Sequence, residues 1–305
     1  MFSKLSLSIT KILDKNIKKN QGIYFTPPST IIHNIDLLKY HLNFDNITSI
    51  LEPSCGSCEY VIKLNNLFDN LHFTCIENNP IVYNNIKFLQ NDNINIINQD
   101  FLHFNDNKKY QLIIGNPPYF VISKNLVDKY YFDYFDGRPN IFILFIIKSL
   151  NLLDKNGILS FILPKNFTNS QYYNKTRKYL VDNYEILFIV NCNDNYLETK
   201  QDTIILCVKN IKPHNNSDFY LSINDNIIIG SKNDIKSIKL LYHNSKTLKS
   251  LGFKVYIGNI VWNQVKNILT DDIHKTKLIY SSDIDNNNLI IKKYNNPLKK
   301  NFINK

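Results

Sequence analysis

From Ser49 onward, short apolar runs alternate with stretches of helical period. Ser49–Glu52 reads as a strand, followed by a glycine-containing loop and an apolar helix over about Tyr60–Phe68. Leu71–Glu77, Asn93–Ile97 and Gln111–Ile114 read as the next strands. A strongly apolar helix over about Asn140–Leu153 leads through Asp154-Lys155-Asn156-Gly157 into the strand Ile158–Leu163. A helix around Gln171–Asp182 and strand-like runs Glu185–Val190 and Thr203–Val208 follow. This rhythm predicts an α/β protein with a mostly parallel, doubly wound sheet. Before it, Leu5, Ile9, Ile12 and Leu13 recur at helical spacing within residues 1–20. The polar stretch Lys212–Ser217 is the expected boundary between a domain of residues 1–212 and a C-terminal region of 213–305.

In open α/β sheets, ligands bind beyond the carboxyl ends of the strands, so the strand ends carry the chemistry. The most telling is Asn116-Pro117-Pro118-Tyr119, directly after Gln111–Ile114 and Gly115. An exocyclic amino nitrogen on a base is a poor nucleophile, because its lone pair is delocalised into the ring. The Asn116 side-chain carbonyl and the Pro117 backbone carbonyl can each accept one N–H and favour a pyramidal nitrogen. The prolines stiffen the turn that carries these acceptors, and Tyr119 offers a flat face to an extruded base. Asn-Pro also starts ordinary turns, so the neighbours decide. Gly56, in the loop Leu51–Tyr60, lets the backbone approach a ligand at a helix N-terminus. Glu77 ends the second strand, where a carboxylate can take ribose hydroxyls. Asp100 and Phe101 follow the third and suit an adenine amino group and ring. Thr26, in Tyr24-Phe25-Thr26-Pro27-Pro28, precedes a helix. Singly these read as solvated charges, core or a cap; in this order they read as a nucleotide-type cofactor site beside an amino-methylating one.

Composition changes this picture little. A net charge of +10 suits a polyanionic partner, although the excess of Lys over Arg reflects an AT-rich coding bias. Cys55, Cys58, Cys75, Cys192 and Cys207 make no disulfide framework and no metal site at usual spacing, which predicts reduced thiols in an intracellular protein. No apolar run reaches transmembrane length.

With these motifs in place, the chain resembles the TaqI-type (gamma-class) adenine-N6 DNA methyltransferases over about Gln21–Lys209 and again at Gly258–Lys266. The resemblance implies a Rossmann-like class I methyltransferase sheet, S-adenosyl-L-methionine as cofactor, double-stranded DNA as partner, and no metal. It places Thr26 near the methionine carboxylate, and Glu52 with Pro53, Cys55 and Gly56 around the methionine end. Glu77 would hold the ribose, Asp100 and Phe101 the adenine. Asn116, Pro117, Pro118 and Tyr119 would form the catalytic motif, with Asn116 also facing the cofactor. Tyr196 would stack on the flipped base with Tyr119, Arg138–Phe142 would open a helix beside the cofactor, and Trp262, Asn263, Gln264 and Lys266 would contact DNA. Two departures stand out. Cys58 occupies a loop position where the family commonly has a second glycine, and the region resembling the recognition domain is short, which keeps a separate recognition subunit open. Methylation of RNA or of protein glutamine by the same motif, and a binding subunit that needs a partner, also remain open.

Overall fold

The computed structural model describes every residue except Met1, Asn195, Lys200, Asn215, Asn244, Ile257, Asn259 and Lys305. Asn195 and Lys200 of the loop around Tyr196, and Asn259 ahead of Trp262, therefore lie outside the described residues. Helices α1 (Lys4–Ile12) and α2 (Lys15–Gln21) open the chain, and Gly22 ends α2 in the left-handed region at φ 64°. The sheet strands are β1 (Ser49–Glu52), β2 (His72–Glu77), β3 (Ile94–Asn98), β4 (Tyr110–Gly115), β5 (Leu153–Pro164), β6 (Glu185–Cys192) and β7 (Thr203–Lys209). They assemble in the order β3-β2-β1-β4-β5-β7-β6. The first five run parallel, and only β7 is reversed, pairing antiparallel with both β5 and β6.

The side-chain period of two distributes each strand between two cores. Leu112 and Ile114 of β4 face one apolar cluster, together with residues of α1, α3 (Pro28–Leu38), α4 (Glu59–Asn65) and α5 (Pro80–Ile86). Ile113 faces the other, filled by α6 (Ile141–Leu152) and α7 (Asn174–Asn183). Ten residues of α6 are buried, which explains a helix apolar on every side. Asn140 caps it, accepting from the Phe142 backbone N–H. Asn79 caps α5 by accepting from Ile81 and Val82, with Pro80 at the first helical position.

Two expectations are revised. The link expected at Asp154–Gly157, ahead of the strand, is an irregular stretch inside β5: Tyr110 pairs with Leu153, then Leu112 with Ile158, and Asn156 takes a φ of 64°. The compact units divide at Asn244/Ser245 rather than at Lys212. The hairpin β8 (Tyr220–Ile223) and β9 (Asn226–Ile229) belongs with the sheet unit because fully buried Arg177 of α7 donates to the carbonyls of Ile227, Phe167 and Ser170. Asn216 donates likewise to Val181 and Tyr184. Helix α8 (Lys232–His243) closes this unit.

Residues 245–305 form a unit of their own, with the small sheet β10-β14-β11 (Leu269–Thr270, Phe302–Ile303, Thr276–Lys277) and the hairpin β12–β13 (Ile284–Asp285, Asn288–Leu289). Its buried Asp283 accepts from the backbones of Tyr280 and Lys292 and from the Tyr294 hydroxyl. No helix among the described residues is long and apolar enough to cross a membrane.

Candidate active site

The parallel strands β1, β2 and β4 lie side by side, so the loops leaving their carboxyl ends meet. They enclose a cavity of about 240 Å³. Pro53, Ser54 and Gly56 come from the loop after β1, Glu77 to Asn79 from the end of β2, and Asp100 with Phe101 from the end of β3. Asn116 and Pro118 form the wall after β4, and Ile122, Ile141 and Phe145 supply an apolar side. The remaining wall is the segment Gln21–Phe25, between α2 and α3. The sequence pointed only to Thr26, the residue immediately after that stretch. The overlooked signal was Gly22 immediately after a helical pattern, a helix stop whose chain must then turn sharply.

Glu77 is buried, and its carboxylate accepts from the Gly56 N–H at 3.0 Å and the Asn79 N–H at 2.7 Å. Burial raises its pKa to about 7, against the pull of these two backbone donors. Each oxygen retains a further lone pair for a hydroxyl on the cavity side. Asp100 uses one oxygen to cap the short turn of Phe101–His103, accepting from Leu102. Phe101 is buried against Phe145, ring centroids 4.9 Å apart. Glu52 sits deeper: it is buried, Oε2 has no hydrogen-bond partner among the described residues, and burial raises its pKa well above the usual range. Neither Glu52 nor Cys55 is part of the cavity wall. Cys58 explains the glycine expected there, because its backbone is left-handed at φ 57°. Among the described residues, no cluster of His, Cys, Asp and Glu could hold a metal ion.

Asn116 is held on both ends of its amide. Nδ2 donates to Thr26 Oγ1 at 3.1 Å and to the Tyr24 carbonyl at 3.4 Å, while Oδ1 accepts from the Tyr119 hydroxyl. The Ser54 hydroxyl donates to the Asn116 backbone carbonyl at 3.1 Å, tying the β1 loop to the β4 loop. Pro117 is buried and Pro118 partly exposed on the cavity wall.

The tyrosines are placed differently from the open stacking platform expected of them. Tyr119 is half-buried, its ring edge-on to Phe142 and its hydroxyl also 2.8 Å from the Ile162 carbonyl. Tyr196 is 7% exposed, and its hydroxyl has no hydrogen-bond partner among the described residues. Its loop is tied down on either side. Lys18 of α2 donates to Glu198 at 2.7 Å, and Thr30 of α3 donates to Asp194 at 2.6 Å. Arg138 lies away from the cavity wall, but Ile141 of the same segment is on it. Trp262, Asn263, Gln264 and Lys266 belong to the second unit. There the ammonium groups of Lys266 and Lys299 lie 5.8 and 5.9 Å from the Trp262 ring centre.

This strand order, with one reversed strand and a cavity over the carboxyl ends of β1, β2 and β4, is that of a class I methyltransferase. A solved structure from Listeria monocytogenes, described as a class I S-adenosylmethionine-dependent methyltransferase, shares the fold at TM-score 0.56 and 19% identity, over 68% of this chain and 71% of that one. Residues 2–197 match the model of the Eco57I restriction-modification methylase family, and the chain belongs to that family. The modification methylase CviBIII of Paramecium bursaria Chlorella virus NC1A is 28% identical over 68% of this chain and 55% of its own length. The type II methyltransferase M.HincII of Haemophilus influenzae is 30% identical over 80% of this chain and 45% of its own length. The chain thus spans about half the length of these relatives.

Proposed function

We propose that this chain binds S-adenosyl-L-methionine and methylates the N6 amino group of adenine in double-stranded DNA, as the gamma-class arrangement of its motifs implies. The observation that carries this reading is the Asn116 carboxamide, anchored through its nitrogen with its oxygen next to the Pro117 turn, at the edge of a cavity of about 240 Å³. The cavity's lining fits the cofactor: a buried carboxylate at Glu77 for hydroxyls, Asp100 for an amino group, Phe101 and Phe145 for a ring, and Gly56 with a left-handed backbone at φ 51°. When bound, S-adenosylmethionine supplies an electrophilic methyl group on a sulfonium.

What the chain's own groups contribute is positioning and electrostatics. Asn116 Oδ1 and the Pro117 carbonyl take the two N–H groups of the extruded amine and turn its lone pair outward. Neither acceptor has to be a strong base, since the nitrogen's proton becomes acidic once the nitrogen is alkylated. Adenine N6 is paired and stacked in a duplex, so the base must leave the helix, at a cost of a few kcal/mol. Tyr119, hydrogen-bonded to Asn116, and the buried Tyr196 are the proposed stacking partners, and their rings must be uncovered to receive it. In the second unit, Trp262, Asn263, Gln264 and Lys266 are the proposed DNA contacts, with Lys266 and Lys299 gripping phosphates.

The test supplies methyl-labelled cofactor to the chain with duplex DNA, RNA and protein substrates. Label on adenine N6 of DNA, lost in Asn116→Ala with cofactor affinity retained, is the expected result. Label confined to RNA or to glutamine would overturn the substrate, and equal transfer by Asn116→Ala would overturn the chemistry.

A further inference from the structure

We infer that Thr26 is a positioning residue that, with the Tyr24 carbonyl, locks the Asn116 carboxamide so that its oxygen, not its nitrogen, meets the target amine. This rests on the reading of Asn116 as the amine's acceptor. A carboxamide has two ends of nearly equal size and opposite hydrogen-bonding character, exchanged by half a turn about its last bond. Presented the wrong way, an NH₂ group would face the NH₂ of the base.

The surroundings of Asn116 choose the orientation. The Thr26 hydroxyl, 3.1 Å from Nδ2, could either accept or donate and so does not choose alone. The Tyr24 carbonyl, 3.4 Å from Nδ2, can only accept. A flipped amide would set two acceptor oxygens against each other there. Thr26 then uses the second Nδ2 hydrogen, so both donors are occupied and the oxygen is left to point away. On that other side, the Tyr119 hydroxyl has one proton and two acceptors, Asn116 Oδ1 and the Ile162 carbonyl. The proton can pass to Ile162 when a target N–H arrives, so Oδ1 is protected beforehand and free when needed. Thr26 is 8% exposed and is not part of the cavity wall, which separates this role from contact with the cofactor.

The experiment compares wild type, Thr26→Val, Thr26→Ser and Asn116→Ala in steady-state DNA methylation, cofactor calorimetry and side-chain amide hydrogen exchange. Thr26→Val is isosteric and lacks the acceptor. Its kcat should fall about tenfold, with KM for DNA and cofactor Kd changed less than about twofold. Thr26→Ser should restore kcat. The Asn116 side-chain amide signals, identified by their loss in Asn116→Ala, should exchange faster in Thr26→Val than in wild type or Thr26→Ser. Unchanged kcat or unchanged exchange in Thr26→Val overturns the inference, and so does weakened cofactor binding with kcat intact. If wild type methylates no DNA, the functional reading fails, and the exchange comparison alone still decides whether the lock exists.

Discussion

A Cβ at Gly22 would stand 2.8 Å from the backbone nitrogen of Tyr119, so the end of α2 packs directly on the Asn116–Tyr119 turn. Backbone cannot swing aside as a long side chain can. Gly22 also holds φ 64°, a region that disfavours side chains by about 1–2 kcal/mol. Gly22→Ala should therefore lower stability by about 1–3 kcal/mol. It should also move the segment Ile23–Thr26 away from Asn116. Thermal melts and methylation assays should show both losses, with activity falling more than stability explains. A fully active, equally stable variant would mean that the two loops do not depend on each other.

The Glu77 carboxyl predicts pH dependence of cofactor binding. Its pKa in the folded protein is raised to about 7 from an ordinary 4.5. The folded state thus holds the proton more tightly than the unfolded chain, and this group's contribution to stability is present at low pH and declines as pH rises from about 4.5 to 7. In the proposed cofactor site, ribose hydroxyls would donate to the anion, so binding would favour its deprotonation. Cofactor affinity should rise with pH up to about 7 and level off above it, with proton release visible by calorimetry in buffers of different ionisation enthalpy. Glu77→Gln should bind more weakly and lose the pH dependence. An unchanged profile in Glu77→Gln would remove Glu77 from the cofactor site.

Cys58 predicts an inverted order of substitutions. Its left-handed backbone penalises any residue with a Cβ, yet its thiol is buried with Cys55 and Cys75. Cys58→Ala keeps the strain and loses the packing, and should cost about 1–2 kcal/mol. Cys58→Gly loses slightly more packing but is free of the strain, and should be at least as stable as Cys58→Ala. In a helix interior or a strand, alanine would win over glycine. Denaturant melts of the two variants decide the point; alanine the more stable would show that the loop relaxes.

Arg177 predicts how the segment 213–244 is held. Its guanidinium is fully buried and bonds carbonyls of Phe167, Ser170 and Ile227, with burial lowering its pKa to about 10. Arg177→Met leaves those carbonyls without donors, at roughly 1–3 kcal/mol for each that water cannot reach. Proteolysis within the β8–β9 hairpin should accelerate in this variant, well before the sheet unfolds. Unchanged protection would show that the hairpin is held by its apolar contacts alone.

Sheet strands, the long helix Ile141–Leu152 and the placement of Asn116, Glu77, Asp100 and Phe101 at strand ends were legible in the chain, because period-two and period-3.6 patterns are local and the ligand end of a parallel sheet follows from topology. The antiparallel direction of β7 was not, since an apolar run looks the same in either direction. Nor was the extent of the first unit, which is settled by Arg177 and Asn216 reaching carbonyls 50 and 35 residues away along the chain. The motif Asn116–Tyr119 was legible at the end of its strand, but which end of the Asn116 amide faces outward depends on Tyr24 and Thr26, some 90 residues upstream. Likewise a tyrosine at 119 or 196 is aromatic in any conformation, whereas its burial depends on Phe142, Ile162 and the ties at Lys18 and Thr30. Covalent character and periodicity belong to the sequence. The orientation of a polar group is chosen by the donors and acceptors that folding brings against it, and only the tertiary structure supplies those.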